Sequence, residues 1–182
     1  MITKVPICAC IILLLVLIAY SISHTIDNSN IVIAQNNDVS FGITTPIYVS
    51  TNGTVTSTRI IDVTTPHPKT EVSFIGDAII YFVGNVSNTG TYVETIESSN
   101  VTRGSGHGII TSPESNNKVA WNAYDLGKRI NNSTYVFKGI IFFDVLPSQD
   151  GSNELMFLDD GVGVYKSKVN DTGSTREIWT WN

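Results

Sequence analysis

The side chains in this sequence that could transfer protons are a few carboxyl groups set among apolar residues. Asp77, Glu94, Asp125 and Asp144 could supply a general acid and a general base if the fold brought two of them together. The sequence does not place them relative to one another. Asp125 and Asp144 interrupt apolar stretches, but charged side chains usually lie on a solvated face. We therefore expect these carboxylates on the outside and predict no catalytic residue.

Metal-binding chemistry has little support in the sequence. A catalytic zinc normally takes three protein ligands, and the three histidines, His24, His67 and His107, have no ligand-like spacing. The Asp-Asp-Gly stretch at 159–161 lacks the regularly spaced oxygen ligands of a calcium loop. A tight hairpin turn explains this stretch better. We predict no metal site and no cofactor.

A glycine-rich stretch at 103–108, Arg-Gly-Ser-Gly-His-Gly, superficially resembles a phosphate-binding loop. Such a loop needs a helix N-terminus behind it, whereas Ile109 and Ile110 continue a strand. In a strand, the three glycines of this stretch share one face. They would leave a bare stripe of backbone that another element or a ligand can approach closely.

Aromatic side chains are the better candidates for binding. A ligand pocket could be lined by Trp121, Tyr124, Tyr135 and Trp179, together with His107. The same aromatic residues could instead pack the core of a small domain. The interior of a barrel of about eight strands is either just filled by side chains or holds one small ligand. The sequence leaves both interpretations open, with a small apolar ligand as the candidate partner.

The N-terminal residues have the pattern that is typical of an export signal. Lys4 precedes an apolar run at 5–22, and small polar residues follow it. A helix over this run would be roughly 27 Å long, close to the hydrocarbon thickness of a bilayer. We therefore predict a signal peptide or a transmembrane anchor at 1–23, with the membrane as partner if the run is not cleaved. The positive flank places the rest of the chain on the extracellular side in either case.

The remaining composition agrees with an exported protein. The net charge is −5 and the basic residues do not cluster, which argues against nucleic acid as a partner. Both cysteines, Cys8 and Cys10, lie inside the apolar run, so the folded part has neither a disulfide nor a thiolate nucleophile. Asn-x-Ser/Thr triplets occur only after the run. They are either glycosylation sites or plain turn residues, and they begin at Asn52, Asn85, Asn100, Asn131, Asn132 and Asn170.

The pattern after the export signal predicts a polar linker at 24–53 and an all-β domain at 54–182. Alternating apolar residues define two long strands, one with an inner face running from Val72 to Phe82 and one with an inner face from Tyr135 to Val145. Shorter strands are predicted at 55–63, 90–97, 103–112, 118–126, 155–158, 161–169 and 175–181.

These strands predict a single antiparallel β-barrel of about eight to nine strands, preceded by one hydrophobic helix. A β-sandwich is the alternative. Gly76 and Gly139 interrupt the inner faces of the two long strands midway. Glycines at such positions let a long strand curve around a barrel, which favours the barrel over the sandwich.

Several segments resemble a family of small, uncharacterised, exported β proteins of archaea and bacteria. The most specific are Gly-Val-Gly-Val-Tyr at 161–165 and Glu-Ile-Trp-Thr-Trp at 177–181. The chain departs from the family in its Asn-rich turns and in an extra stretch at 147–153. The family in turn resembles barrels of the allene oxide cyclase or calycin type. The resemblance implies a barrel but no catalytic residue, since a shared fold does not carry function.

Three functions remain open at this point. The leading hypothesis is a non-enzymatic, extracellular barrel that binds a small apolar ligand or a surface partner. The second is a cyclase-like isomerase that works inside the barrel, and the third is a structural protein of the cell envelope. An acidic residue or His107 pointing into a cavity beside aromatic rings would favour the enzyme. A solidly packed interior would favour the structural role.

Overall fold

The structure, a computed structural model, describes residues 45–148 and 151–181. The predicted export segment and most of the predicted linker lie outside these described residues. None of the helices in the described part of the chain has the length and hydrophobicity that crossing a membrane requires.

Eight antiparallel strands make up most of the described chain. In chain order they are β1 (Tyr48–Asp62), β2 (Lys69–Ile80), β3 (Gly84–Ser98), β4 (Val101–Thr111), β5 (Lys118–Arg129), β6 (Tyr135–Val145), β7 (Val162–Asn170) and β8 (Gly173–Thr180). Each strand pairs with its neighbour in sequence, and β8 pairs back with β1. The sheet is therefore a closed barrel, which confirms the predicted fold and rules out the sandwich.

The barrel begins earlier than the predicted boundary at residue 54. β1 already pairs with β8 from Tyr48, where Tyr48 lies opposite Ile178 and Gly53 opposite Ser174. The polar texture of this segment suggested a linker, but only alternate residues of a strand need to be apolar when one side faces solvent. Tyr48 is one of the most deeply buried residues of the core.

Period-two alternation fills the interior as predicted for β2, where Gly76, Ala78 and Ile80 are buried and the residues between them are exposed. The prediction that Phe82 continues this face is wrong. β2 ends at Ile80, and Phe82 lies in the turn that follows, with a φ of 72° and 93% of its surface exposed. The alternation therefore ends where the backbone turns.

One end of the barrel is closed by the connection between β6 and β7. This connection contains a short 3₁₀ helix, Met156–Leu158, at the position of the predicted strand 155–158, so that prediction is wrong. Leu155 and Leu158 are buried in the same apolar cluster as Ile80, Ile110 and Val119. Because a helical turn brings residues three apart to the same side, the two leucines together plug this end.

The opposite end carries the hairpin turns at 63–68, 99–100, 130–134 and 171–172, and we call it the open end. The β1–β2 hairpin extends there beyond β8, because β1 pairs with β8 only as far as Gly53. The barrel is therefore a cup, closed at one end by leucines and surrounded by hairpin turns at the other.

Candidate functional site

The interior of the cup is not filled completely. A cavity of about 90 Å³, partly open to solvent, occupies the half of the barrel toward the open end. Most of its surface is apolar, from Val55, Val72, Phe74, Phe137 and Val169. The polar groups that face it come from Ser50, Asn88, Glu94, Asp125, Ser174 and Arg176.

Arg176, on β8, projects into the barrel between aromatic rings. Its guanidinium carbon lies 5.1 Å from the ring centre of Tyr165, 5.3 Å from that of Tyr92, 5.5 Å from that of Phe74 and 6.0 Å from that of Trp121. All four distances fall in the range of cation–π attraction. The rings therefore hold the positive charge of Arg176 at the bottom of the cavity.

A chain of hydrogen bonds runs beside this cation. The Tyr165 hydroxyl donates to Asp125 Oδ2 at 2.5 Å, and the hydroxyls of Tyr92 and Tyr165 are 3.1 Å apart. Asp125 Oδ1 is buried against the backbone of Gly104 without a hydrogen bond of normal geometry. One oxygen of this carboxyl group is thus held firmly, and the other has exchanged its water for a weak contact with the Gly104 backbone.

Burial changes the protonation of both carboxyl groups in the cavity. It raises the pKa of Asp125, although the hydrogen bond from Tyr165 and the charge of Arg176 oppose the shift. Burial also raises the pKa of Glu94, and the nearby charge of Asp125 raises it further. The pKa of Tyr165 is raised by burial and by its neighbours Tyr92 and Asp125, so this residue keeps its proton. Both carboxyl groups therefore hold a proton to higher pH than exposed ones do.

A second polar link fixes the aromatic residue at the centre. Trp121 donates its indole N–H to Asn88 Oδ1, and Asn88 donates to the Tyr48 hydroxyl, both at 2.9 Å. The three side chains come from β5, β3 and β1 and are all buried. Because every polar atom in this link has a partner, the indole is held rigidly in the core beside the cavity.

The glycine-rich strand explains how so many large side chains fit. On β4, Gly104 adjoins Asp125, Gly106 adjoins the Tyr92 ring and Gly108 adjoins the Trp121 ring. A Cβ atom on Gly108 would lie 2.5 Å from Trp121 Cζ2, too close for any real contact. The predicted bare stripe of backbone is therefore confirmed, and side chains of the neighbouring strands occupy it.

Of the five predicted ligand-binding residues, the structure places Trp121 beside the site. Tyr124, 57% exposed, and His107 lie on the outer face of the barrel. Tyr135 lies near the open end and stacks on Phe137, and Trp179 lies on the outer face, partly buried. The structure thus does not bring the five residues together.

The expectation that Asp125 lies on the outer face is wrong, and Glu94 also points inward, whereas Asp144 is exposed as expected. Strand alternation could have predicted that Asp125 points inward. Alternate residues of a strand share a face, and Asp125 shares its face of β5 with Trp121 and Ala123, which are both buried. Tyr92, Tyr165 and Arg176 were not among the predicted site residues. Strand alternation does place Arg176 inside, because it lies two residues before the buried Ile178.

All six asparagines of the Asn-x-Ser/Thr triplets are exposed. Four of them, Asn100, Asn131, Asn132 and Asn170, lie at or beside the hairpin turns of the open end. Asn170 Oδ1 accepts hydrogen bonds from the backbone N–H of Thr172 at 3.0 Å and from its hydroxyl at 2.7 Å. Exposed turn asparagines are compatible with both of the predicted roles, and glycosylation stays a prediction.

Within residues 45–148 and 151–181, no three His, Cys, Asp or Glu side chains cluster in a way that could hold a metal ion. Asp159 and Asp160 lie in the turn before β7, and Asp159 Oδ1 accepts a hydrogen bond from the Val145 backbone N–H at 3.0 Å. Asp160 has a φ of 52°, a value that turn aspartates tolerate.

Comparison with known proteins bears on the fold. No protein-family model matches the chain, and no curated protein matches it. Among solved structures, a conserved protein of unknown function from Rhodopseudomonas palustris matches with a TM-score of 0.50 and 6% sequence identity. The match covers 74% of this chain and 95% of that protein. At this identity the similarity supports the barrel fold and nothing about chemistry.

Proposed function

We propose that this protein is exported, as a secreted or membrane-anchored barrel, and that it binds a small, mostly apolar ligand inside its cup. The observation that carries this proposal is the cavity toward the open end, which combines a mainly apolar wall with a few oriented polar groups. Small-molecule sites in proteins have the same character. A barrel with a solid interior would have favoured the structural role, so the cavity makes that role less attractive.

Filling the cavity with a larger side chain should weaken ligand binding. The Val72 side chain faces the cavity, and Val72→Trp would put an indole into its space. We expect this change to weaken binding of 1-octanol by about tenfold or more, because the ligand and the indole cannot share the space. Titration of the full-length protein in lipid nanodiscs, followed by calorimetry, measures the effect. Native mass spectrometry of protein from its own host would show a retained ligand directly.

The matched control is Ile79→Trp, on the outer face of the same strand, where the side chain is 58% exposed. This variant should bind 1-octanol as the unchanged protein does. If the unchanged protein binds no 1-octanol and retains no ligand from its host, the proposal is wrong. Equal binding by both tryptophan variants would mean that the ligand site lies elsewhere.

A second candidate function is a cyclase-like isomerase that uses the same cavity. The observation in its favour is that Asp125 and Glu94 both face the cavity beside aromatic rings, with raised pKa values. One carboxyl group can then be protonated while the other is ionised. The ionised carboxylate would take a proton from one substrate carbon, and an acid would return a proton to another. This reaction needs no oxidant or reductant.

Proton transfer of this kind leaves an isotopic trace. We expect the full-length protein, incubated in D₂O with a small-molecule extract of its host, to transfer deuterium from solvent to one carbon of a compound. Asp125→Asn should reduce this incorporation by about a hundredfold or more, in line with the usual contribution of a general acid or base. Mass spectrometry measures the label. Asp144→Asn, on the outer face, is the control and should keep full incorporation. Incorporation that Asp125→Asn leaves unchanged would rule out this role for Asp125.

A further inference from the structure

Arg176 has fewer hydrogen-bond partners than its donors require. A guanidinium group presents five N–H donors and accepts no hydrogen bond. Among the described side chains, only the Tyr92 hydroxyl lies within hydrogen-bonding reach of Arg176, and no carboxylate lies within 4 Å of it. The four surrounding rings attract its charge, but the face of an aromatic ring does not replace the oxygen acceptors that the N–H donors require. Donors therefore remain available toward the cavity that Arg176 lines.

The nearest acidic residue does not neutralise Arg176 by direct contact. Asp125 accepts its hydrogen bond from Tyr165 instead, and its other oxygen is turned against Gly104. Glu94 lines the cavity on the same side as Asp125. A cation in the cavity would face the charge of Arg176 at close range, which disfavours cationic ligands. A neutral head group would leave most of the guanidinium donors without a strong acceptor.

The remaining class of head group is a small anion. A carboxylate is planar and can accept two parallel N–H bonds from one guanidinium, which gives the strongest form of this contact. A dianionic phosphate would meet more repulsion from Asp125 and Glu94, which face the same space. The cavity volume of about 90 Å³ corresponds to roughly three water molecules, enough for a carboxylate and the first carbons attached to it.

The apolar part of such a ligand would extend toward the open end. The side chains of Val55, Val72 and Val169 line that part of the cavity, and Val55 lies on the section of β1 beyond its pairing with β8. An alkyl chain leaving Arg176 in this direction would cover apolar surface that otherwise contacts water. Each buried methylene group contributes roughly 0.8 kcal/mol to binding.

We propose, on the basis of the ligand-binding function argued above, that the natural ligand is a carboxylate with a short to medium apolar chain. Arg176 receives the carboxylate at the bottom of the cavity, and the chain points to the open end. Arg176 thus selects the head group of the ligand, and the apolar cavity wall selects its chain.

Three ligands that differ in the head group test this inference. Octanoate, 1-octanol and octylammonium are titrated into the full-length protein in lipid nanodiscs, with empty nanodiscs as the blank. Calorimetry and the fluorescence of Trp121 and its neighbours report binding. We expect octanoate to bind about tenfold or more tightly than 1-octanol, since a charge-assisted pair of hydrogen bonds is gained. Octylammonium should bind most weakly.

Variants of Arg176 test whether this residue causes the preference for octanoate over 1-octanol. Arg176→Gln should bind octanoate and 1-octanol about equally, and Arg176→Lys should keep part of the preference, because a point charge lacks the fork geometry. Arg103→Gln, an exposed arginine paired with Glu97, is the control and should keep the full preference. If Arg176→Gln does not fold, the three ligands on the unchanged protein still decide the question.

The outcomes separate this inference from the proposed function. Equal binding of octanoate and 1-octanol by the unchanged protein would overturn the carboxylate inference and leave the ligand-binding function standing. Failure to bind either compound would overturn both. A preference for octanoate that persists in folded Arg176→Gln would show that another group receives the carboxylate.

Discussion

Replacing Trp121 by alanine should destabilise the barrel by about 3–5 kcal/mol, the usual cost of removing a large buried aromatic side chain. Trp121 is 1% exposed, and its ring centre lies 5.7 Å from that of Tyr92 and 6.2 Å from that of Phe74. Gly90 and Gly108, opposite one another on β3 and β4, leave space that the indole fills. Alanine would empty this space and leave Asn88 Oδ1 without its donor.

Thermal unfolding followed by circular dichroism measures this loss. We expect the midpoint Tm to fall by about 10 °C or more for a domain of this size. The control is Trp181→Ala, which removes an indole that is 71% exposed beyond the end of β8 and should change stability by about 0.5 kcal/mol at most. If the two variants melt at the same temperature, Trp121 does not hold the core together.

The barrel was predictable from the sequence because closure depends on a pattern that local residues express. Inner positions of β2 alternate from Val72 to Ile80, and the turns lie where glycine, proline and asparagine cluster. Seven of the eight strand pairs then join neighbours in sequence, and all connections except the one between β6 and β7 are short. The pairing of β1 with β8 is the exception, since it joins the two ends of the barrel sequence.

The errors at the strand ends have a common cause. The run 155–158 is apolar throughout, which suggested a strand, yet only Leu155 and Leu158 are buried. Their separation of three residues is the spacing of a helical turn and does not fit alternation. Phe82 likewise lies two residues after Ile80 and so fits the alternation of β2, but it belongs to the turn that follows the strand. Short apolar segments beside turns are therefore ambiguous without the tertiary structure.

The site was harder to predict because two rules disagree there. Residue type places a charged side chain on the surface, whereas strand alternation places it in the interior. A carboxylate such as Asp125 is usually exposed, and that tendency outweighed its buried parity on β5. What offsets the cost of its burial is a hydrogen bond from Tyr165, a residue on a strand that is not adjacent in the sheet. Arg176 is similar: three of the four rings that stabilise its charge lie on strands that are not adjacent to β8. Contacts of this kind across the barrel leave no trace in the local sequence.

A role for two glycines in the middle of long strands was predicted from the sequence, and one of them contacts residues of the site. Gly76 and Gly139 were expected to let their strands curve, and the structure shows tight packing against both. A Cβ atom on Gly139 would overlap the carbonyl oxygen of Tyr124 on β5 and would lie 2.7 Å from Asp125 Cβ and 2.9 Å from Tyr165 Cε1. A Cβ atom on Gly76 would meet Gly53 Cα at 3.1 Å, a closer approach than most contacts but one that a small shift relieves.

Gly139→Ala should therefore destabilise the barrel by about 2–3 kcal/mol, because β5 and β6 must separate to admit the methyl group. The gain from a stiffer unfolded chain, about 0.4–1 kcal/mol, does not compensate. Gly76→Ala is the matched control and should lose about 1 kcal/mol or less, since its neighbours can shift by a few tenths of an ångström. Chemical denaturation measures both. Equal stabilities of the two variants would show that β6 has room at Gly139, contrary to the packing described above.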